Sequence, residues 1–419
     1  MKIKFFDDTV DIEIVETHSA DENNRTIRYG RVDDCMATGH DEFYPNVLLK
    51  PSKLDYLILP LKEDFMSLKS GTIYEKTMEY EHSETKQENL VNTPLFFFIC
   101  NSTNYYHFLY DSVPYLTTYF NLKKKIPDLK LLMNYADSTK KCFFKFVTDT
   151  LSLLGVTMND IIIHKPSNRY KTIYIGSSLT HDKAPNVPPR REVYSLFNKL
   201  TDKFNDDNEY PQHVYISRRT RIHNDLSNIG TNYTTRRELM NEDELVKYLR
   251  SKGVVEVFCE NMSMLEKINL FYKAKTVVGS IGGGMCNLLF STKQTQAISL
   301  VSPTFMDVNE RFLFSMSSSS LLNLDISSFY ENSNLKTGTR VYIKSMGDQI
   351  GEIHSYSGNN IYNISVRKKG TTGCDSTDNS NIIKLPDNQL EAIDSGLNSP
   401  WLIDMDRFID TFESGSKYI

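Results

Sequence analysis

The 419-residue sequence contains no run of eighteen apolar residues, so no segment reads as a membrane-spanning helix. Its first residues, Met1-Lys-Ile-Lys-Phe-Phe-Asp-Asp8, turn acidic too early for a signal peptide. The six cysteines (Cys35, Cys100, Cys142, Cys259, Cys286, Cys374) are scattered and form no CxxC pair. That argues against a zinc ribbon or a disulfide framework. Four of them lie in apolar surroundings typical of buried thiols, and a reducing, cytoplasmic setting is expected. None of the nine histidines sits in an HxH or HExxH pair. The one DxD spacing, Asp404-Met-Asp406, falls in an amphipathic stretch, Trp401–Phe412, expected to be helical and remote from the main body of the fold. No metal site is expected. Long basic blocks are also missing and the net charge is −5, which excludes a nucleic-acid partner. Tryptophan occurs once, at Trp401.

What is present is an ordinary globular composition, 40% hydrophobic and 24% charged, in a chain long enough for two cores. Residues 1–90 hold short alternating stretches and read as a β-rich entry segment. From 91 to 189, apolar runs at Leu95–Ile99, Leu129–Met133, Ile161–Ile163 and Lys171–Ile175 alternate with helical patterns. The second of these, Ser138–Leu154, stops at Gly155. From 190 to 325 the alternation repeats, with strands expected at Val214–Ser217, Val254–Phe258, Thr276–Gly279 and Gln296–Val301. Asn241/Glu244 and Ser263/Glu266 have capping-box spacing at two helix starts. Residues 326–419 read as an α+β extension, with strands near Arg340–Lys344, Gly351–Tyr356 and Asn360–Val366, and helices at Pro386–Ser395 and Asp404–Phe412. Buried apolar strands alternating with helices imply parallel sheets, here two Rossmann-like α/β domains joined at Pro185–Pro189 and facing a cleft.

Three constellations carry chemistry. Gly279-Ser-Ile-Gly282-Gly283-Gly284-Met285-Cys-Asn287 follows an apolar strand and opens a short helix, so backbone N–H groups can cradle a diphosphate. The competing reading is a tight turn without a ligand; a dinucleotide fingerprint is disfavoured because the spacing is not GxGxxG. Tyr215-Ile-Ser217-Arg218-Arg219-Thr-Arg221 ends a strand in arginines whose planar forks suit phosphate oxygens, the competing reading being a solvated basic loop. Arg236 and Arg237 make a weaker version of the same case. His107-Phe-Leu-Tyr-Asp111 puts an imidazole and a carboxylate on one helical face. Either group could take a proton with the other orienting it, although such a pair is often purely structural. Pro114 would kink this helix.

In order along the chain, these pieces resemble the family 61 glycosyltransferases. Asn104-Tyr-Tyr-His107-Phe-Leu-Tyr-Asp111-Ser-Val-Pro114 is similar to the family's first motif. Tyr215–Arg219 with Arg237-Glu-Leu-Met-Asn241-Glu-Asp-Glu-Leu245 is similar to its second, and Val278–Phe290 to its third. The resemblance spans roughly residues 90–320. Two positions depart from the pattern: Ile281 where histidine is usual, and Ser299 where an acidic residue often ends the next strand.

The resemblance implies a GT-B fold and an inverting, metal-independent hexosyl- or pentosyltransferase. Such an enzyme moves a sugar from a nucleotide sugar, often UDP-linked, to a hydroxyl of a glycan or glycoconjugate. The nucleotide sugar is then a co-substrate and no further cofactor is implied. Carried over position by position, Asp111 is the leading base with His107 beside it. Ser217, Arg218, Arg219, Arg237, Gly282, Gly283, Gly284, Met285 and Asn287 become donor contacts. The alternative is a carbohydrate- or nucleotide-binding pseudoenzyme of the same fold.

Overall fold

The computed structural model describes residues 2–5, 13–18, 27–37, 48–49, 56–59, 89–98, 102–135, 141–165, 168–180, 189–204, 207–220, 237–303, 320–330, 335, 339–347, 349–366, 382–392 and 399–414. Residues 185–188 of the expected hinge Pro185–Pro189, and Arg221, Arg236, Cys100 and Cys374, lie outside these residues. The chain divides into two units, residues 1–199 and 200–419. No described helix is long and apolar enough to cross a membrane.

The first unit holds β1 (Lys2–Phe5), β2 (Glu13–His18), β3 (Ile27–Ala37), β4 (Leu48–Leu49), β5 (Tyr56–Leu59), β6 (Asn89–Val91), β7 (Leu95–Phe97), β8 (Lys130–Met133), β9 (Ile161–Ile163) and β10 (Asn168–Gly176). They form one sheet in the order β1-β5-β4-β3-β10-β7-β8-β9, with β2 against β3 and β6 against β10. Strand β10 is the seam, antiparallel to β3 but parallel to β7, while β7, β8 and β9 run parallel. The expected parallel block is therefore present. Its wholly apolar strands are buried because parallel strands are covered on both faces. Leu95, Phe97, Leu132, Ile173 and Ile175 share one core with Val32 and Cys35. The helix Lys145–Leu153 buries Phe146, Val147 and Leu151, and the chain leaves it through Gly155 at φ +80°, a left-handed exit that suits glycine.

One buried ionisable group in this unit makes stability depend on pH. His164 follows β9, with its N–H on the Met133 carbonyl and Nδ1 2.7 Å from the Tyr170 hydroxyl. Its Nε2 is buried without a hydrogen-bond partner. Burial disfavours the imidazolium and draws the pKa down to about 4. Because the folded value is depressed, the unfolded chain binds the extra proton between pH 6.5 and 4. Stability is then full above 6.5 and falls as pH drops through that window. Urea unfolding should show His164 costing about 2 kcal/mol at pH 5 relative to pH 7. His164→Gln should remove that increment, and an unchanged pH slope in the variant would contradict the assignment.

The second unit is built on β11 (His213–Ile216), β12 (Val255–Val257), β13 (Thr276–Ser280), β14 (Gln296–Leu300) and β15 (Ser320–Leu324). These form a wholly parallel sheet in the order β12-β11-β13-β14-β15. The first four are the expected strands; β15 is additional. The helix Met264–Lys273 opens with the expected capping box, Ser263 and Glu266 each satisfying the other's backbone N–H. The Asn241 box does not form. Asn241 carries no cap; its amide instead reaches strand β22 (Trp401–Ile403), donating to the Ile403 carbonyl (2.8 Å) and accepting from its N–H (3.2 Å).

The C-terminal region also departs from expectation. Residues 401–403 are a strand, not helix, pairing with β16 (Ser327–Phe329) and bridging Leu239. The helix Met405–Ser414 follows, with Asp404 as its cap: Oδ1 accepts the Arg407 N–H. Trp401, Ile403, Met405, Phe408 and Phe412 lie in one core with Tyr215, Leu245, Leu249, Val278 and Ile298. The DxD segment is thus not remote from the second unit: Met405 joins its core while Asp404 and Asp406 stay exposed. A separate antiparallel sheet joins β17 (Arg340–Ile343), β18 (Gln349–Gly358), β19 (Ile361–Val366), β20 (Ile382–Pro386) and β21 (Leu390–Ala392), in the order β20-β19-β18-β17-β21. Over residues 386–392 the helix expected at Pro386–Ser395 is replaced by the end of β20, one 3₁₀ turn and β21, and residues 393–395 lie outside the described residues. Ile383 and Leu385, two residues apart on β20, and Leu390 at the start of β21 pack on the small core of Val341, Ile353 and Ile364.

Candidate functional site

In the first unit, a short helical turn, Tyr105–His107, begins at Asn104, whose side chain accepts the His107 N–H. It widens at once into a π-helical turn, Phe108–Ser112, closed by the Val113 N–H on the Phe108 carbonyl at 2.8 Å. Pro114 explains the widening: it has no N–H to give Tyr110, and its ring crowds that carbonyl. The helix restarts at Tyr115 and runs to Lys123. Single π-turns of this kind are frequent at functional sites. Within the turn, His107 Nδ1 lies 2.6 Å from Asp111 Oδ2, the contact expected from their spacing. The imidazole is one-third exposed (34%) and the carboxylate is more enclosed (17%), with Oδ1 buried. If Asp111 is ionised, the Nδ1–H donates to it and Nε2 becomes the basic nitrogen of the ring.

In the second unit, β11 delivers Ser217, Arg218 and Arg219 at its carboxyl end. The two arginines have different environments. Arg219 donates through Nε and Nη2 to the two oxygens of Glu256 (2.8 and 2.7 Å) and through Nη1 to Asp243 (2.6 Å). Glu256 also accepts from Arg250 at 2.7 Å. Burial alone would raise the Glu256 carboxyl, but the hydrogen bonds from Arg219 and the charges of Arg219 and Arg250 outweigh it, and its pKa is lowered. Arg219 is thus engaged by protein carboxylates in a bidentate geometry.

Arg218 instead reaches the glycine loop: a Cβ at Gly282 would lie 3.6 Å from its Nη1. Two glycines of that loop exist for close packing. A Cβ at Gly279 would meet Met285 Sδ at 2.8 Å, and one at Gly284 would meet Ile216 Cγ2 at 2.7 Å. Ile216 is therefore wedged against the loop, which brings the end of β11 beside it. The helical piece after the glycines is a six-residue 3₁₀ helix, Met285–Phe290, shorter than the expected helix start. Met285 and Asn287 are fully buried. The Met285 N–H bonds the Gly282 carbonyl, and the Asn287 amide donates to the Gly284 carbonyl at 2.9 Å. Both side chains brace the loop from within.

Arg237 has a left-handed backbone (φ +54°), and its carbonyl accepts the indole N–H of Trp401 at 2.9 Å. Ser217 is buried and donates to Glu242. Ile281 is buried, with its N–H on the Leu300 carbonyl. Ser299 lies inside β14 opposite Gly279, fully buried, its hydroxyl without a hydrogen-bond partner. Neither departure from the family pattern brings a charge to the loop.

Sequence reasoning missed Glu242, Glu256 and Trp401. Glu242 falls within the second motif but reads as part of a helix start. Glu256 sits inside a strand, where its pairing depends on a partner 37 residues away. The solitary tryptophan was the available signal for Trp401. Among the described residues, no three His, Cys, Asp or Glu side chains group as ligands for a metal ion.

Residues 105–298 match a protein-family model described as Glycosyltransferase 61. That span includes the His107–Asp111 pair, the end of β11 and the glycine loop. No curated protein matches the chain.

Proposed function

Over residues 105–298 the chain belongs to glycosyltransferase family 61, and from that premise we propose that it transfers a sugar from a nucleotide sugar, UDP-linked in the first instance, to a hydroxyl of a glycan or glycoconjugate with inversion and without a bound metal. The observation that carries this reading is the approach of the Arg218 guanidinium to Gly282 at the carboxyl end of a parallel sheet. Ligands of open α/β sheets bind at that end, and a cation beside glycine backbone, where no side chain blocks close approach, suits a diphosphate leaving group. Preorganised charge of this kind often does most to lower a barrier, because the leaving group gains negative charge as the bond breaks.

The His107–Asp111 pair supplies the acid–base chemistry. Asp111 Oδ2 faces the ring and Oδ1 is buried, while His107 is the more exposed partner. We assign proton acceptance from the acceptor hydroxyl to His107 Nε2 and the orienting role to Asp111. This reverses the order that the family resemblance put first. The arrangement follows the logic of a carboxylate holding an imidazole in its productive tautomer and stabilising the imidazolium that forms. A GT-B arrangement, with the base on the first unit and the donor site on the second, is part of the proposal.

Arg218→Ala tests the donor site. Isothermal titration with UDP and GDP, in buffer containing EDTA, should show the affinity of the preferred diphosphate fall by roughly 10–150-fold, from a lost charge-assisted contact of about 1.5–3 kcal/mol. Arg219→Ala should instead lower the melting temperature, because it strips the nearly buried Glu256 of its bidentate partner. Unchanged diphosphate affinity in Arg218→Ala would return the loop to a tight turn without a ligand.

A further inference from the structure

One oxygen of one buried carboxylate organises the whole end of β11. Glu242 Oε1 accepts the Tyr215 hydroxyl (2.9 Å), the Ser217 hydroxyl (2.9 Å) and the Arg218 backbone N–H (3.0 Å). Glu242 is the first residue of the helix Glu242–Ser251 and is almost fully buried. Burying a carboxylate costs free energy unless donors replace its water, and here three donors converge on a single atom. The helix start adds its own favourable potential for negative charge. Burial, followed by the charge and hydrogen bond of Glu242, holds the Tyr215 phenol well above its ordinary pKa, so it stays a donor.

The three donors are the residues that lead into Arg218, including its own backbone. With them held, the Arg218 side chain leaves the strand from a fixed point and arrives at Gly282. The start of the Glu242 helix is anchored in turn. Asn241 is bonded to Ile403, and the Trp401 N–H and carbonyl pair with Glu238 and Met240. We propose that Glu242 is a positioning residue for nucleotide diphosphate binding: it fixes the Tyr215–Arg218 strand end so that the Arg218 guanidinium is presented at the glycine loop. The inference rests on the reading that Arg218 and this loop take the diphosphate.

The test is a double-variant cycle on the full chain with Glu242→Gln, Arg218→Ala and their combination. The probes are UDP and GDP, each against its nucleoside. Glutamine keeps the volume and one acceptor oxygen but removes the charge that draws three donors together. Glu242→Gln should weaken the preferred diphosphate by about tenfold and leave the nucleoside within about twofold, since the loss acts through a phosphate contact. In the Arg218→Ala background the Glu242→Gln change should have no further effect. A merely structural role would move melting temperature and both ligands together. If Glu242→Gln does not fold, Ser217→Ala removes only one of the three donors and must show the same preference for the diphosphate. Full additivity in the double variant, or equal losses for diphosphate and nucleoside, would overturn the proposal while leaving the donor site intact. Diphosphate binding that is absent in the wild chain, or indifferent to Arg218→Ala, would overturn the donor-site reading and this inference with it.

Discussion

Asp111→Asn lowers turnover by roughly 10²–10⁴-fold while leaving the melting temperature and nucleotide affinity close to those of the wild chain. The amide matches the carboxylate in shape and can still hydrogen-bond the ring that now meets Asp111 at 2.6 Å, so the π-turn around it survives. What changes is the ring. An amide that turns its NH₂ toward Nδ1 favours the tautomer with the proton on Nε2, the atom that must accept one. An amide oxygen there keeps the tautomer but loses the charge that stabilises imidazolium. Either way the step slows, as in triads whose carboxylate becomes an amide. The measurement is turnover of a panel of nucleotide sugars, with thermal unfolding on the same preparation. His107→Gln separates the two roles. If His107 is the base, its loss equals or exceeds that of Asp111→Asn. If Asp111 is the base, His107→Gln is the milder change. Near-normal turnover per folded molecule in both variants, with a lowered melting temperature, would make the pair structural.

Trp401→Ala destabilises the second unit by about 3–5 kcal/mol, the usual cost of deleting a large buried aromatic. The indole is 1% exposed and shares a core with Tyr215, Leu245 and Ile298, and its N–H satisfies the Arg237 carbonyl. For a unit of this size that is a fall of roughly 6–20 °C in melting temperature. It is best followed by far-UV circular dichroism, because the variant has no tryptophan fluorescence. Trp401→Phe keeps most of the apolar area and loses chiefly the hydrogen bond, costing about 1–2 kcal/mol. Nucleotide affinity should fall with stability in Trp401→Ala, since the segment paired with Trp401 leads directly into Glu242. A variant within about 1 kcal/mol of the wild chain would mean that residues 401–414 are dispensable to the core.

Much of the architecture was legible because it is written in local periodicity. Apolar runs such as Leu95–Phe97 and Thr276–Ser280 identify buried parallel strands, and Ser263/Glu266 announces a helix start that forms as spaced. The same local logic failed at Asn241, where equal spacing produced no cap. A strand from the far end of the sequence offered its amide a better pair of partners. It failed again at Trp401–Ile403, where amphipathic spacing suited a helix, but pairing with Ser327–Phe329 made a strand.

The functional residues divide in the same way. The sequence alone placed His107 and Asp111 on one face of a helical turn, because a spacing of four brings two side chains together there, and the structure shows them in contact. It also determined that a glycine-rich turn follows a buried strand at Gly279–Gly284. Only the tertiary structure decided which of two adjacent arginines meets that turn. Neighbouring residues at a strand end point to opposite sides, and the two sides are filled by partners distant in sequence. For Arg219 these are Glu256 and Asp243; for Arg218 they are Gly282 and, through its backbone, Glu242. No local pattern encodes that choice, because it depends on the register of β11 between β12 and β13 and on the docking of the helix that carries Glu242.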